Sequence, residues 1–292
     1  MANIGFLGLG IMGLPMAVNL VKKSGSPVMG LDVSQKQLDA FAAAGGRVAK
    51  DAAELYGWAE VLFFCLPTNE LMRDSALAAA ASAKPGTVIV DLGSTAPGVV
   101  REVEAKLRSS GMHLLDSPVS GGDIGAKAGT LAIMTGGGKD VFDKVEPLLR
   151  CMGTAVTYMG GSGNGSTAKL ANNMMAGVYL AIMGEAFAFG VKAGLDPMVL
   201  YNAIKDGYAG CKMLDVKLPK VVSRDFTPAA RTAVHRKDLA NAVALAEEMG
   251  VKIPLSHITL DLMNEVEAMG KIDEDQCALC QVYERDMGVV IQ

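Results

Sequence analysis

The sequence predicts an α/β chain, with a doubly wound sheet in the first half, an all-helical second half and a long helix joining them. Up to about residue 160, short apolar runs alternate with longer amphipathic runs, which is the pattern of a sheet covered by helices. The short runs are continuously apolar, as in parallel strands buried on both faces. No strand candidate of comparable strength follows residue 165. The length of 292 residues also suggests about two domains.

The predicted elements of the first half are short and regularly spaced. Strands are expected at residues 4–8, 28–31, 61–66, 87–91, 113–116, 131–135 and 155–158. Helices are expected between them at residues 15–23, 35–44, 53–56, 98–109 and 139–149. A glycine cluster at residues 159–165 ends this pattern. We therefore predict a first domain at residues 1–163 and a helical second domain at residues 164–292.

The second half opens with a long apolar segment, residues 167–193, which has no proline and few charges. As one helix it would be roughly 40 Å long. A helix that is apolar on nearly all sides must be enclosed by other helices or by a second subunit. Further helices are predicted at residues 197–206, 213–222, 237–249, 255–269 and 274–287.

Composition and charge exclude several classes of protein. The 27 basic and 31 acidic residues give a net charge of −4, so bulk charge does not favour a nucleic-acid partner. An odd number of cysteines, five, indicates reduced thiols in a cytoplasmic protein and not a disulfide framework. The longest apolar stretch, residues 174–184, is short for a bilayer span of about 20 residues. We therefore expect no membrane partner.

A glycine motif follows the first predicted strand: Gly8-Leu9-Gly10-Ile11-Met12-Gly13. Its glycines allow a tight turn and close approach to a pyrophosphate, and the following helix offers unpaired N–H groups. Asp32 ends the second strand, where a carboxylate accepts hydrogen bonds from an adenosine ribose and repels a 2′-phosphate. Because no arginine follows Asp32 closely, we predict NAD in preference to NADP. The alternative is a glycine turn that binds another ligand or none, with Asp32 as a turn residue.

Two further strand ends would face this cofactor. Leu66-Pro67 closes one predicted strand, and Ser94-Thr95 closes another. The carboxyl ends of parallel strands are where open α/β sheets bind ligands. Local chemistry alone leaves open whether each is a turn or part of a site.

A candidate catalytic set lies in two segments. Residues 116–122, Asp-Ser-Pro-Val-Ser-Gly-Gly, follow a strand, and their glycine N–H groups and the Ser120 hydroxyl can hold a carboxylate. Lys169 begins the long helix, with Asn172 and Asn173 three and four residues further on, near the same face. Partial burial in a cleft would lower the pKa of a lysine toward neutrality, which suits proton transfer. The alternative is a lysine that reaches water from a helix end, with packing or capping asparagines.

These residues together resemble the β-hydroxyacid dehydrogenase family, which includes 3-hydroxyisobutyrate dehydrogenase and tartronate semialdehyde reductase. The resemblance covers essentially the whole chain and follows the same order. It is carried by the glycine run at residues 5–16, Leu66-Pro67, Ser94-Thr95, residues 116–122, Lys169 with Asn173, and Lys237-Asp238-Leu239. The family fold is a Rossmann domain, a long helix and a helical domain, as the patterns predict.

The resemblance implies roles for individual residues toward a small carboxylate substrate. Lys169 would be the general acid/base, and Asn173 would position the substrate and that lysine, with Asn172 beside it. Lys237 would lie near the nicotinamide, held by Asp238. The substrate carboxylate would be bound by Ser120, Gly121 and Gly122, and Thr95 would lie beside both substrate and nicotinamide ribose. The cofactor would also contact Gly8, Leu9, Gly10, Ile11, Met12, Asp32, Leu66 and Pro67. Family members are usually dimers or tetramers, which implies a homo-oligomer.

The sequence departs from the family pattern after Pro228, where many relatives have Gly-Phe and this chain has Ala229-Ala230. The missing ring would open the substrate pocket, and nearby basic residues would add positive charge: Lys212, Arg231 and Arg236. This predicts a substrate larger or more polar than hydroxyisobutyrate, unless those charges are solvated helix ends.

Other features point to weaker possibilities. His235 either lines the cleft or packs. Cys277 and Cys280 have no second ligand pair nearby, so no metal site is predicted. Imine reduction uses the same scaffold, but the presence of Lys169 argues against it. A non-catalytic dinucleotide-binding protein is the remaining alternative.

Overall fold

A computed structural model describes residues 2–292 and confirms the predicted fold class. The chain divides after Lys169 into two compact units, six residues beyond the boundary that the sequence predicts. The strands of the first unit are β1 Ile4–Leu7, β2 Val28–Leu31, β3 Arg47–Val48, β4 Val61–Phe64, β5 Val88–Asp91, β6 His113–Asp116, β7 Val119–Ser120, β8 Leu131–Gly136 and β9 Gly153–Gly160. Its helices are α1 Gly13–Lys23, α2 Gln35–Ala43, α3 Ala52–Trp58, α4 Asn69–Ala79, α5 Pro97–Ser109, α6 Gly122–Ala128 and α7 Lys139–Leu149.

The sheet of the first unit has the strand order β3-β2-β1-β4-β5-β6-β8-β7, and β9 pairs with β8. Neighbouring strands from β3 to β6 are parallel. Successive side chains of each strand point to opposite faces, and two apolar cores result. Phe6, Phe63 and Val90 belong to one core, whereas Leu62 and Ile89 belong to the other. This explains why the strands are apolar without alternation.

Two parts of the first unit differ from the sequence-based expectation. β8 runs antiparallel to β6, although its apolar pattern resembles that of the parallel strands. Helices α4 and α6 and the two-residue strands β3 and β7 are additional. The glycines of α6 disfavour a helix intrinsically, but Gly125 lies buried against Leu131, where a Cβ would come within 3.2 Å of the leucine side chain. Tertiary packing therefore overrides local propensity there.

The long helix α8, Asn164–Lys192, begins in the first unit and continues into the second. The other elements are α9 Pro197–Ile204, α10 Lys212–Val222, α11 Thr232–Glu248, α12 Pro254–Ala268, a 3-10 turn at Gln276–Leu279 and α13 Cys280–Met287. Within the second unit, α8 contributes Leu180, Met183 and Phe187 to one buried cluster and Ala181 to another. Buried contacts on two sides of α8 account for much of its apolar character.

Part of α8 remains exposed. Met175, Ile182 and Phe189, spaced seven residues apart, have 76%, 51% and 68% of their surface exposed. Among residues 2–292, α8 alone is long and apolar enough to cross a membrane by length and composition, a test that core helices of globular proteins also pass. Of its most apolar 18-residue window, 44% is buried.

Asp275 organises the turn before α13. Its buried carboxylate accepts hydrogen bonds from the Lys217 ammonium at 2.8 and 3.0 Å and from the Ala229 amide at 3.0 Å. The predicted helix at residues 274–287 is therefore divided, because Asp275 caps a 3-10 turn by accepting from the Cys277 amide. Helix α11 begins at Thr232, earlier than predicted, and its Thr232 hydroxyl donates to the Asp275 carbonyl at 3.1 Å.

Candidate active site

Five parallel strands of the first unit end at residues that pair with one another across the sheet. Leu7 pairs with Leu31 and Phe64, Phe64 pairs with Asp91, and Asp91 pairs with Asp116. The loops after these strands therefore leave from one edge of the sheet. They carry the glycine motif, Asp32, Leu66-Pro67, Ser94-Thr95 and the segment leading to Ser120. Ligands of open α/β sheets bind outside the carboxyl ends of the strands.

The glycine motif forms a tight strand-to-helix turn. Gly8 has φ +93°, and a Cβ there would overlap the Cys65 carbonyl oxygen. A Cβ at Gly13, the first residue of α1, would overlap the Gly8 carbonyl oxygen. At Gly10 the Cβ direction is open, with no described atom within 4 Å. The motif thus needs glycine at two positions for its own fold and leaves free space at the third.

Asp32 braces this turn from the end of β2. Its Oδ2 accepts a hydrogen bond from the Leu9 amide at 2.6 Å, and its Oδ1 accepts from the Ser34 amide at 2.8 Å. The helix start at Met12 has no hydrogen bond from a capping side chain of the described residues. A helix start without a capping side chain, open space at Gly10 and a carboxylate at the second strand end fit the pyrophosphate and ribose of a dinucleotide. The cofactor contacts assigned to these residues stay a prediction.

The next two strand ends are tied together by a residue that sequence reasoning missed. Asn69, in the first turn of α4, accepts a hydrogen bond from the Ala96 amide at 3.0 Å. This links the loop that contains Leu66 to the loop that contains Thr95. Thr95 is buried, whereas Pro67 is exposed. The contact spans 27 residues, so nothing local in the sequence indicates it.

Asp116, at the end of β6, is fully buried and contacts the beginning of α8. Its Oδ1 accepts a hydrogen bond from the Gly163 amide at 3.0 Å, and its Oδ2 accepts from the Ser166 amide at 2.8 Å. Burial raises the pKa of Asp116 to about 6, although both of these amide hydrogen bonds oppose the shift. The nearby Asp91 carboxylate contributes to this rise.

The predicted carboxylate-binding residues follow Asp116 directly. Ser120 ends β7, pairs with Ala132 of β8 and is half-buried. Gly121 and Gly122 are exposed at the start of α6, with φ values of +135° and +63° that favour glycine. The backbone of this segment is therefore accessible to a ligand.

Lys169 lies half-buried in the second turn of α8, three residues after Ser166. Asn173 follows one turn later and is buried. Its side-chain nitrogen donates to Asp238 Oδ2 at 2.5 Å, and its Oδ1 accepts from Asn172 at 2.9 Å. Both ends of the Asn173 amide are thus fixed by neighbours.

Asp238 and Lys237 belong to the same network in the second unit. The ammonium of Lys237 lies 3.0 Å from Asp238 Oδ1, while the other carboxylate oxygen accepts from Asn173. His235 is buried and bonds through its ring nitrogens to the Asn173 carbonyl and to Gln276 Oε1, at 2.9 and 2.8 Å. The structure therefore gives His235 a packing role that supports Asn173.

Two of the three basic residues near Ala229-Ala230 have acidic partners. Arg231 lies 3.6 Å from Asp273, and Arg236 lies 3.0 Å from Glu267. These ion pairs favour the alternative that both arginines are solvated helix-end charges. Lys212 is exposed at the start of α10.

The cysteines form no disulfide among the described residues. Cys151, Cys277 and Cys280 are buried, and burial raises the pKa of all three thiols, to about 12 for Cys280. Within residues 2–292, no group of three or more His, Cys, Asp or Glu side chains could hold a metal ion.

Comparison with known families matches both halves of the chain. Residues 3–160 match the NAD-binding domain of 6-phosphogluconate dehydrogenase. Residues 163–283 match the NAD-binding family of NADP-dependent 3-hydroxyisobutyrate dehydrogenase.

Individual relatives match over nearly the full length. A 2-(hydroxymethyl)glutarate dehydrogenase of Eubacterium barkeri is 32% identical, covering 99% of this chain and 97% of the relative. A 2-hydroxy-3-oxopropionate reductase of Escherichia coli K12 is 33% identical, covering 97% of each chain.

Solved structures give the same picture. The structure of Mycobacterium tuberculosis 3-hydroxyisobutyrate dehydrogenase with L-serine has a TM-score of 0.87 at 34% identity, covering 97% of this chain and 99% of that chain. An imine reductase of Streptomyces aurantiacus has a TM-score of 0.64 at 18% identity, covering 96% of this chain and 99% of that chain, and shows a common fold alone.

The raised pKa of Asp116 predicts a pH-dependent stability. Because the folded-state pKa is about 6 and the unfolded value is about 3.9, the neutral form favours folding. The stability that the neutral form of Asp116 contributes is fully present below about pH 4. It is lost as the pH rises through about 6, which lowers the free energy of unfolding by about 3 kcal/mol. Urea unfolding of the wild type and Asp116→Asn between pH 4 and 7.5 measures it, since the stability difference between them should fall as the pH rises.

A matched control has the opposite sign and a lower pH window. The pKa of Asp225 is lowered to about 2 by its hydrogen bond with Lys220, so the stability difference between wild type and Asp225→Asn should grow as the pH rises from about 2 to about 4 and change little above that. Parallel pH curves for wild type and Asp116→Asn would contradict the prediction.

Proposed function

The chain belongs to the β-hydroxyacid dehydrogenase family, and from this premise we propose that it interconverts a small β-hydroxyacid and its semialdehyde or keto acid, with NAD as cofactor. It is an NAD(P)-dependent oxidoreductase that acts on hydroxyacids. The observation that carries the proposal is the common edge of the sheet. The dinucleotide turn, Thr95 and the strand leading to Ser120 share that edge, and Asp116 joins this strand to the helix that bears Lys169.

Binding of the substrate carboxylate is assigned to Ser120, Gly121 and Gly122. The Ser120 hydroxyl and the exposed glycine N–H groups are donors suited to a carboxylate. Charge-assisted hydrogen bonds of this kind fix the acid end of the substrate and leave the hydroxyl-bearing carbon free to react. Thr95 and Asn172 are assigned to the same substrate region.

Lys169 is assigned the proton transfer. In oxidation its neutral amine takes the proton of the substrate hydroxyl, and in reduction its ammonium returns a proton to the carbonyl oxygen. The nicotinamide, when bound, accepts or supplies the hydride. The position of Lys169 in α8, three residues after the Ser166 amide that Asp116 binds, supports this role.

Asn173 and Lys237 are assigned positioning roles. The bonds of Asn173 to Asn172 and Asp238 hold its side chain in one orientation, as a positioning residue requires. Asp238 also holds Lys237, which is assigned to the nicotinamide end of the cofactor.

Substituting Lys169→Ala should lower kcat by about 10²–10⁴-fold, the usual effect of losing a general acid/base. Dinucleotide affinity should stay unchanged. Initial rates by nicotinamide absorbance, together with the Kd of the dinucleotide from fluorescence titration, measure both quantities. Lys192→Ala, in the last turn of the same helix, is the control and should keep wild-type turnover. Near-normal turnover of the Lys169 variant would reject the assignment.

NAD preference is proposed from Asp32. Its carboxylate is oriented by the Leu9 and Ser34 amides, and a negative charge at the end of β2 repels a 2′-phosphate. NADP remains the less favoured cofactor.

The variant Asp32→Asn should lower the ratio of kcat/KM with NAD to that with NADP by at least about fivefold, because a like-charge repulsion of the order of 1 kcal/mol or more is removed. The ratio cancels any common effect of loosening the glycine turn. Asp39→Asn, an exposed change in α2, should leave it unchanged. A wild type that prefers NADP would overturn the proposal.

The substrate itself is tested with a panel of hydroxyisobutyrate, glycerate, threonate, hydroxymethylglutarate, serine and succinic semialdehyde. The expectation of a larger or more polar substrate rests on Ala229-Ala230, which stand where many relatives have a glycine and an aromatic residue. The arginines do not add to it, because Arg231 and Arg236 are already paired. We expect turnover with polyhydroxy or dianionic acids to exceed that with hydroxyisobutyrate. Preference for hydroxyisobutyrate keeps the class and rejects the wider pocket.

The imine reductase alternative would give turnover on imines and none on hydroxyacids. The non-catalytic alternative would give dinucleotide binding with no turnover of any compound. The set Ser120, Lys169, Asn173 and Lys237 supports an active hydroxyacid enzyme over both.

Assembly into a homodimer or homotetramer is proposed from the exposed residues of α8. Met175, Ile182 and Phe189 recur every seven residues, so they lie along one side of the helix. Exposed apolar surface of this kind marks interaction sites.

We also propose a cytoplasmic location for the protein. Its five free cysteines are consistent with that location.

Replacing Ile182 with Glu should shift the protein to a smaller species, because a charge in an apolar interface is unpaired. Sedimentation velocity measures the mass in each case. Leu71→Glu is the control, because Leu71 is an exposed apolar residue of α4 and not of α8. This variant should keep the mass of the wild type. A monomeric wild type would contradict the proposal.

A further inference from the structure

The carboxylate of Asp116 connects the two segments to which the proposed chemistry is assigned. Its main chain ends β6 and continues directly to Ser120, whereas its side chain binds the amides of Gly163 and Ser166. We propose that Asp116 is a positioning residue: it holds the start of α8, and with it the backbone of Lys169, in register with the carboxylate-binding segment. This inference rests on the proposed function of Lys169 and Ser120.

The packing around Asp116 leaves little freedom for this junction. A Cβ on Gly136, the β8 partner of Asp116, would lie 2.7 Å from Asp116 Oδ1 and 2.7 Å from the Gly165 amide nitrogen. A Cβ on Gly165 would overlap the carbonyl oxygens of Asp116 and Met134. Strand, carboxylate and helix start are therefore in direct contact, and glycine is required at both neighbouring positions.

A carboxylate is the side chain suited to this junction. The first N–H groups of a helix have no partner within the helix and carry partial positive charge. Asp116 is buried, so bulk water cannot replace its oxygens as acceptors. Each carboxylate oxygen takes one amide, at 3.0 and 2.8 Å, whereas an asparagine offers one oxygen and turns an NH₂ group toward the other amide.

The effect on the reaction acts through Lys169. Ser166 and Lys169 are three residues apart, within about one helical turn, so an anchor at the Ser166 amide fixes the backbone from which the lysine extends. A shift of about 1 Å in a reacting group can cost about 10²-fold in rate. Release of the helix start should therefore reduce turnover and leave the dinucleotide turn at Gly8–Gly13 unaffected.

Asp116→Asn and Asp116→Ala test the inference. The Asn variant should lose about 10-fold and the Ala variant about 10²-fold in kcat, with an unchanged Kd for NAD. The deciding measurement is a double-mutant cycle with Lys169→Ala. If Asp116 acts through Lys169, its substitution should change kcat less than about twofold when Lys169 is already absent. Multiplicative losses would show a general structural effect and overturn the inference.

Asp196→Ala provides a matched control for Asp116→Ala. Asp196 Oδ1 also accepts two amide hydrogen bonds at a helix start, from Met198 and Val199 of α9, and α9 carries no residue assigned to the reaction. The alanine removes both hydrogen bonds and should lower the melting temperature without changing kcat. A kcat loss equal to that of Asp116→Ala would overturn the proposed role of Asp116.

Amide hydrogen exchange separates failure of the inference from failure of the proposed function. In Asp116→Asn the peptide covering residues 163–170 should exchange at least about tenfold faster than in the wild type, with unchanged exchange in α1. Unchanged exchange at residues 163–170 would reject the anchor whatever the activity. A wild type that turns over no hydroxyacid would instead reject the proposed function and, with it, the catalytic consequence of the anchor.

Discussion

A common end point of five parallel strands places the candidate site of the first unit. Because the last residues of these strands pair with one another across the sheet, the loops that follow must leave from a single edge. These residues are Leu7, Leu31, Phe64, Asp91 and Asp116. Backbone hydrogen bonding, and not the side chains of the site, sets this alignment. A slip of one residue in any of these strands would exchange the two apolar faces as well as displace a loop, so core packing protects the geometry of the edge.

Much of this arrangement follows from the sequence. Continuous apolar runs predict the buried strands, and the glycine motif between a strand and a helix predicts the dinucleotide turn. These signals are local, and Gly8 and Gly13 show their physical basis, since a Cβ at either position would overlap backbone. The local pattern marks Lys169 as a candidate for proton transfer, and the family resemblance adds Lys237 and a specific role for each.

The features that the sequence does not predict depend on contacts between distant residues. The side-chain oxygen of Asn69 accepts a hydrogen bond from the Ala96 amide. A ring nitrogen of His235 bonds to the carbonyl of Asn173, 62 residues away. The antiparallel direction of β8 and the helix α6 are likewise set by neighbours, because an apolar run has no direction and two glycines disfavour a helix. Sequence reasoning therefore identifies the residues that would meet a ligand more readily than those that support them.

The buried cysteines give each unit an internal reporter of its own opening. Cys151 lies in the first unit, and Cys277 and Cys280 lie in the second, all protected from solvent. A thiolate reacts with disulfide reagents only after exposure, so labelling rates at Cys151 and at the pair would record local unfolding of each unit separately. Thiol labelling of the native protein, with no engineered residue, can therefore show whether its two units unfold together or one after the other.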